Sequence, residues 1–305
     1  VQVPCVRRLA RADGERLMSR DVARGDEDVR HVRTLAGPVV LAAAVQRVGV
    51  IVDRTIASFL APGSISSLYY SFRLVHLPYA ILALAAGRAV APALAEDHAL
   101  GRREGFRDTL LSGLRMNWIY LVPIVVLVVW LARPVVGLVY QRGAFDEADL
   151  AMTSSAFVMY ALGLISMGAV FLLTRAFAAR LDTKTPVKVS IAAFFLNVGL
   201  NLLLVRTPLY HAGLALASSL SFTFHAVALY MILNRRMESD GHPVTPRNLL
   251  SAAAPVTAAI VVMLAALWGL DARFGMAFAG QNVAARAARI VVCGGGAGLS
   301  YVVAL

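Results

Sequence analysis

Eight apolar runs, each of roughly 20 residues or more, divide this chain: 35–61, 65–92, 112–138, 149–178, 186–206, 212–234, 248–270 and 284–305. Runs of that length match the ~30 Å hydrocarbon core of a bilayer. Inside lipid only helices and closed barrels satisfy every backbone N–H and C=O. The composition points the same way. With 59% hydrophobic and 15% charged residues, against about 25% charged in a soluble domain, the chain has more apolar surface than its own volume can hide. The predicted fold class is therefore all-α, a polytopic transmembrane helix bundle of about eight spans.

Charge punctuates the runs. The net charge of +11 raises nucleic-acid binding as a class, but that class needs a basic stripe on a soluble fold, and the cations here stand between hydrophobic stretches. One set of loops collects the arginines of residues 1–33, then Arg102, Arg103 and Arg107, then Arg180 and Lys184, then Arg235, Arg236 and Arg247. The other set has Arg133, Arg142, Arg206, Arg273 and Arg286. The richer side is expected to be cytoplasmic, with the charged opening segment 1–33 as a water-facing linker. Pro62-Gly63-Ser64 marks a tight turn between the first two runs. Pro78, Pro123 and Pro255 fall within runs and are expected to kink them. Cys5 and Cys293 have no companion at metal-ligand spacing, so neither a disulfide framework nor a zinc site is expected. The chain starts at Val1 without a signal-peptide pattern and stops at Leu305 within an apolar run; a piece of a longer protein is expected.

Polar residues inside the runs carry the functional argument. A charge at mid-bilayer costs about 2.5–3.5 kcal/mol on insertion scales and tends to mark a substrate or ion path. The first run holds Gln46, Arg47, Asp53 and Arg54. Residues seven apart share a helix face, so two polar stripes are expected to point into the bundle. Asp53 reads either as an oxygen ligand for a cation or as half of an Asp–Arg pair that fixes packing. The second run holds Tyr69, Tyr70, Arg73 and His76. A guanidinium keeps its charge when buried and grips phosphate bidentately. Arg73 is accordingly a candidate diphosphate ligand, or else the partner of a carboxylate. Tyr70 and His76 join it as candidate substrate-facing residues, although a lone intramembrane histidine commonly serves packing. Arg88 is expected to reach the interface. In the fifth run Asn197 and Asn201, one turn apart, are candidates to complete an oxygen cage begun by Asp53, with Ser218 of the sixth run lending a further oxygen. The competing reading is an interhelical amide contact, worth about 0.6 kcal/mol, and for Ser218, like Gly213 and Ser219 beside it, close packing. No catalytic set emerges: there is no G-x-S-x-G, P-loop or H-E-x-x-H, and GGGAG at 294–298 is expected to be a packing surface. An enzyme is not expected.

Three segments carry a family resemblance. DVRHVRTLAGPVVL from residue 28 with VDRTIASFLAPGSISSLYYSFRLVHLP, then QRGAF at 141–145, then TRAFAARLDTKTPV at 174–187 resemble the MurJ/MviN lipid II flippases of the multidrug/oligosaccharidyl-lipid/polysaccharide (MOP) exporter superfamily. The likeness runs from about residue 28 to the end and is specific through about residue 236. It implies two six-helix lobes around a central cavity and a further helix pair that grooves the lipid tail. This chain would be the C-terminal half: linker 1–33, six-helix transport lobe 34–236, and two additional helices 237–305. It further implies movement of lipid II, the undecaprenyl-diphosphate-linked peptidoglycan precursor, from the cytoplasmic to the outer leaflet by alternating access. The setting would be the bacterial cytoplasmic membrane, with the N-terminal lobe of the same protein and membrane lipids as partners and no nucleic acid. Arg73 falls on a cavity arginine of the family and Arg175 on another basic position. Asp53, Asn197 and Asn201 fall on a Na⁺ site of some members, where the position of Asn201 is often acidic. No other cofactor is implied. Phe72, where many members are acidic or polar, and Arg88 depart from the pattern. The alternatives are export of another polyprenyl-linked glycan, export of a drug-like substrate, or a non-transporting membrane scaffold.

Overall fold

The computed structural model describes residues 40, 44–45, 47–241, 246–274 and 283–305, with the backbone alone for 82–86, 88 and 246–254. The linker 1–33, Cys5, Gln46 and the side chain of Arg88 lie outside the described residues.

All regular structure among the described residues is helical. In chain order it comprises α1 (47–57), α2 (Ser64–Ala99), α3 (Arg103–Tyr140), α4 (Glu147–Leu162), α5 (Leu164–Ala179), α6 (Lys184–Leu204), α7 (Tyr210–Ser239), α8 (Pro246–Phe274) and α9 (Val283–Ala304). Among the described residues each expected run maps onto one helix, except the fourth. Among the described residues α3, α6, α7, α8 and α9 are long and apolar enough to cross a membrane, and the bent pair α4 and α5 has the length and apolarity of a broken span or a re-entrant loop. α2, with 36 residues and so about 54 Å long, has the length but carries Tyr69, Tyr70, Arg73 and His76 along its first half.

Two differences from the sequence expectation have clear causes. First, residues 149–178 form two helices bent by 41° at Gly163. The φ of −82° there is ordinary, so the bend reflects contact: a Cβ on Gly163 would stand 2.8 Å from Ser219 Cα of α7. Second, α3 begins at Arg103, well before the apolar run at 112. Its first turns are amphipathic, with Phe106, Leu110, Leu111 and Leu114 buried and Arg103, Glu104 and Asp108 exposed, the spacing of a core-facing stripe. The break in α3 lies at Leu131 (φ −107°, ψ 16°), not at Pro123. Pro134, three residues on, removes an N–H from the ladder there.

The core joins these helices in four patches, of which one, with Ala57, Leu68, Ala156, Leu214 and Ala215, joins α1, α2, α4 and α7. Leu94, Leu110, Leu172, Phe177, Leu229 and Leu233 bind α2, α3, α5 and α7 near the arginine-rich end. Leu74, Val75, Leu121, Val136, Phe157 and Leu164 bind α2, α3, α4 and α5 near the other. The last two helices pair with each other and lean on α3 through Leu131, Met263, Leu267, Cys293 and Tyr301, and the Tyr301 hydroxyl donates to Ile119 O at 2.8 Å. The glycine run of α9 lies at the end of a π-helical segment, Ile290–Gly295. Cβ atoms on Gly294 and Gly296 would meet Leu131 at 3.1 Å and Leu270 at 2.8 Å, whereas Gly295 faces open space; the run is in part the packing surface expected. Gly213 behaves likewise: its added Cβ would stand 2.8 Å from Leu204 O of α6.

Candidate functional site

Four helices meet at Asp53. The Asn201 side chain, fully buried on α6, donates its single amide nitrogen to Asp53 Oδ1 at 2.6 Å and to Asn197 Oδ1 at 3.1 Å. Its own Oδ1 is buried with no hydrogen-bond partner among the described residues. Ser218 of α7 donates to Leu214 O at 3.2 Å and stands beside the Tyr160 hydroxyl of α4, which the Asp53 charge also reaches. The structure thus brings Asp53, Asn197 and Asn201 into direct contact, with Ser218 at the rim. Among the described residues no arginine lies within ion-pair distance of Asp53. The second expected stripe is corrected: Arg47 and Arg54 are exposed. Consecutive residues sit about 100° apart on a helix, so Asp53 against α6 turns Arg54 outward.

Arg73 stands apart from this cluster. It is exposed on α2, and its Nη1 donates to the Tyr69 hydroxyl one turn back at 3.1 Å. No carboxylate among the described residues pairs with it. Tyr70 points instead into an aromatic stack with Tyr140, at 4.7 Å between ring centroids, and Phe145, at 6.1 Å. His76 does not join Arg73. Its ring lies 3.8 Å from that of Phe72, and its Nδ1 is 3.1 Å from Phe72 O, the packing role expected of a lone histidine. Phe72, the departure from the family pattern, is therefore the shelf on which His76 rests. Arg175 on α5 is exposed, lies over the Phe171 ring at 5.0 Å, and its charge reaches the Tyr79 hydroxyl of α2.

At the arginine-rich end the charges are structural. Asp240, just past α7, takes Arg180 at 2.9 Å and Arg103 at 3.3 Å. A cavity of about 270 Å³ beside them is lined by these same side chains. Asp182, in the DTKTP turn, accepts from Lys184 N and Thr185 N at 3.0 Å each, from Thr185 Oγ1 at 2.6 Å and from Arg236 Nη1 at 2.5 Å. It thereby caps α6 and ties it to α7. Burial alone would raise the Asp182 carboxyl; the Thr185 and Arg236 bonds outweigh it and hold the group at about 2. A depressed carboxylate contributes stability that is complete above its unfolded pKa of about 4 and lost as pH falls through about 2. With Arg236 partly exposed, the contribution is discounted to about 1–2 kcal/mol. Thermal unfolding in detergent is expected to show this loss between pH 4 and pH 2, and Asp182→Asn is expected to abolish that increment. An unchanged pH dependence in the variant would count against the assignment.

Several site residues carried no signal in the apolar pattern. Tyr160, Tyr140 and Phe145 come from α4, α3 and the loop between them, and only the tertiary fold brings them to α1 and α2. Ser64, Ser67 and Ser71 of the GSIS segment are buried along one face of α2, and Ser71 donates to Thr153 O of α4 at 2.7 Å. Their three- and four-residue spacing was the available clue. Among the described residues no group of three or more His, Cys, Asp or Glu side chains could hold a metal ion.

Comparison with known proteins agrees with this architecture. The family described as "Lipid II flippase MurJ" matches residues 1–286, thus including the charged opening segment. A probable lipid II flippase MurJ of Haemophilus influenzae is 37% identical over 67% of this chain and 41% of its own length. This chain therefore spans about two fifths of that curated relative. A solved lipid II flippase MurJ in an inward closed conformation superposes with a TM-score of 0.72 at 23% identity, over 90% of this chain and 53% of its own. An outward-facing multidrug resistance MATE transporter of the MOP superfamily gives 0.60 at 17% identity, over 94% and 65%. The shared fold is that of about one half of a MOP-type transporter.

Proposed function

Because this chain belongs to the MurJ lipid II flippase family, we propose that it forms one wall of a transporter that carries lipid II across the bacterial inner membrane for peptidoglycan synthesis. The observation that carries the reading is Arg73: an exposed guanidinium on α2, held by Tyr69 and free of any carboxylate among the described residues. A diphosphate supplies the missing counter-charges, and guanidinium–phosphate pairs are among the stronger charge-assisted bonds. Arg175, exposed on the neighbouring α5, adds a second cation. The arginine-rich loops face the cytoplasm, an opposing N-terminal lobe of the same protein closes the cavity, and rocking of the two halves moves the headgroup while its tail stays in lipid. The opposing lobe is a partner in this reading, as is the surrounding membrane.

Sodium is the proposed coupling ion. The donor set suits a hard cation: one carboxylate at Asp53, the Asn197 amide oxygen, and the orphaned Asn201 Oδ1, with Ser218 nearby. In the described geometry the Asn201 NH₂ occupies the point where Asp53 and Asn197 oxygens converge. Which way an amide faces is set by its bonding network, so a cation at that point would call for the oxygen instead. Bound there, Na⁺ would neutralise Asp53 and tie α1 to α6.

The test is depletion of the complete protein followed by identification of the lipid-linked precursor that accumulates on the cytoplasmic leaflet. Lipid II is the expected species. Accumulation of a different polyprenyl-linked glycan would move the assignment within the superfamily, and no accumulation at all would favour a scaffold. A drug-like cation is disfavoured by the exposed arginines.

A further inference from the structure

The QRGAF turn has no part in the diphosphate reading, and Tyr69 enters it only through its hydroxyl, yet the structure joins the turn to the Tyr69 ring. Gly143 takes a φ of +63°, which lets the chain reverse after α3. Asp146 then caps α4, accepting from Asp149 N at 2.9 Å, while Asp149 reciprocates to Asp146 N. An Arg133–Glu147 ion pair spans the same turn. This fixed loop presents Phe145 to Tyr140 and Tyr70, and the Tyr140 hydroxyl reaches Tyr70 O at 3.5 Å. Tyr70 in turn meets Tyr69 edge to face, at 6.0 Å and 63°. Tyr69 is thus braced from behind while 47% of it remains exposed, and its hydroxyl touches Arg73.

Resting on the reading of Arg73 as a diphosphate ligand, we propose that Tyr69 is a specificity residue for the sugar bonded to that diphosphate. In a glycosyl diphosphate the anomeric carbon is one oxygen away from phosphorus. On the protein, the Tyr69 ring is one hydrogen bond away from the guanidinium. A phosphate on Arg73 therefore delivers the first pyranose to the open face of Tyr69, whose negative π-cloud meets the positively polarised C–H groups of the sugar. The hydroxyl positions Arg73; the ring reads the sugar.

The experiment measures equilibrium binding of two ligands to the complete protein in nanodiscs: a polyprenyl diphosphate with its sugars, and the same diphosphate without them. Tyr69→Ala is expected to lower the preference for the glycosylated ligand by about fivefold, the scale of one aromatic contact. Tyr69→Phe keeps the ring and is expected to keep the preference, with a small equal weakening of both ligands. Tyr69→Leu, which fills the position without an aromatic face, is expected to behave as Tyr69→Ala. A preference unchanged in Tyr69→Ala, or retained in Tyr69→Leu, overturns the proposal. Arg73→Ala is expected to weaken both ligands; if it weakens neither, the diphosphate reading itself fails, and that outcome is distinct from a failure of the sugar contact.

Discussion

Arg73→Ala in the complete transporter is expected to lower the flipping rate by about 10–150-fold, the equivalent of the roughly 1.5–3 kcal/mol carried by a hydrogen bond to a charged group. The side chain is exposed and has Tyr69 as its hydrogen-bond partner, so its removal leaves no buried carboxylate behind and the fold is expected to persist. Arg73→Lys retains the charge but not the planar fork, and an intermediate rate is expected. The measurement is transfer of a fluorescent lipid II across reconstituted vesicles, with growth under depletion of the wild-type copy as the cellular counterpart. An Arg73→Ala protein that flips at the wild-type rate would remove the diphosphate role.

Asp53→Ala is expected to abolish stabilisation by sodium. A site filled at 100 times its dissociation constant adds about 2.7 kcal/mol to the folded state, readable as a melting shift in NaCl relative to choline chloride. The wild-type protein is expected to display that shift and Asp53→Ala none. The substitution also strips Asn201 of an acceptor, so a baseline loss of about 1–3 kcal/mol accompanies it. The two effects separate because the second is present in choline as well. Asn201→Asp supplies a second carboxylate at the same point and is expected to bind sodium more tightly than wild type. Equal melting of the wild-type protein in both salts would refute the ion site while leaving Arg73 untouched.

What could be read from residue order follows from where the information is local. Membrane runs are a property of single helices, and the described residues of all eight lie mainly in helical segments. The Asp53–Asn197–Asn201 contact was also legible, because two asparagines a turn apart and one aspartate are all costly in lipid and gain most by meeting. The early start of α3 was obscured because hydropathy alone hides an amphipathic turn built on Phe106, Leu110 and Leu114. The break at Gly163 depends on Ser219, 56 residues later in the chain, and no local pattern records it. From the sequence, His76 and Tyr70 join Arg73 as candidate substrate-facing residues on one helix. Their rings instead follow Phe72 and Tyr140, since aromatic surface is buried by whichever neighbour the fold supplies.

The Asp240 carboxylate fastens the start of α3 and the end of α5 to the tail of α7, while Asp182 lashes α6 to α7. Four helix ends are thereby hitched to one another on a single rim. Such a rim resists fanning apart, so these helices are expected to swing as one lever when the cavity changes the leaflet to which it opens, with the bending left to connections elsewhere in the molecule.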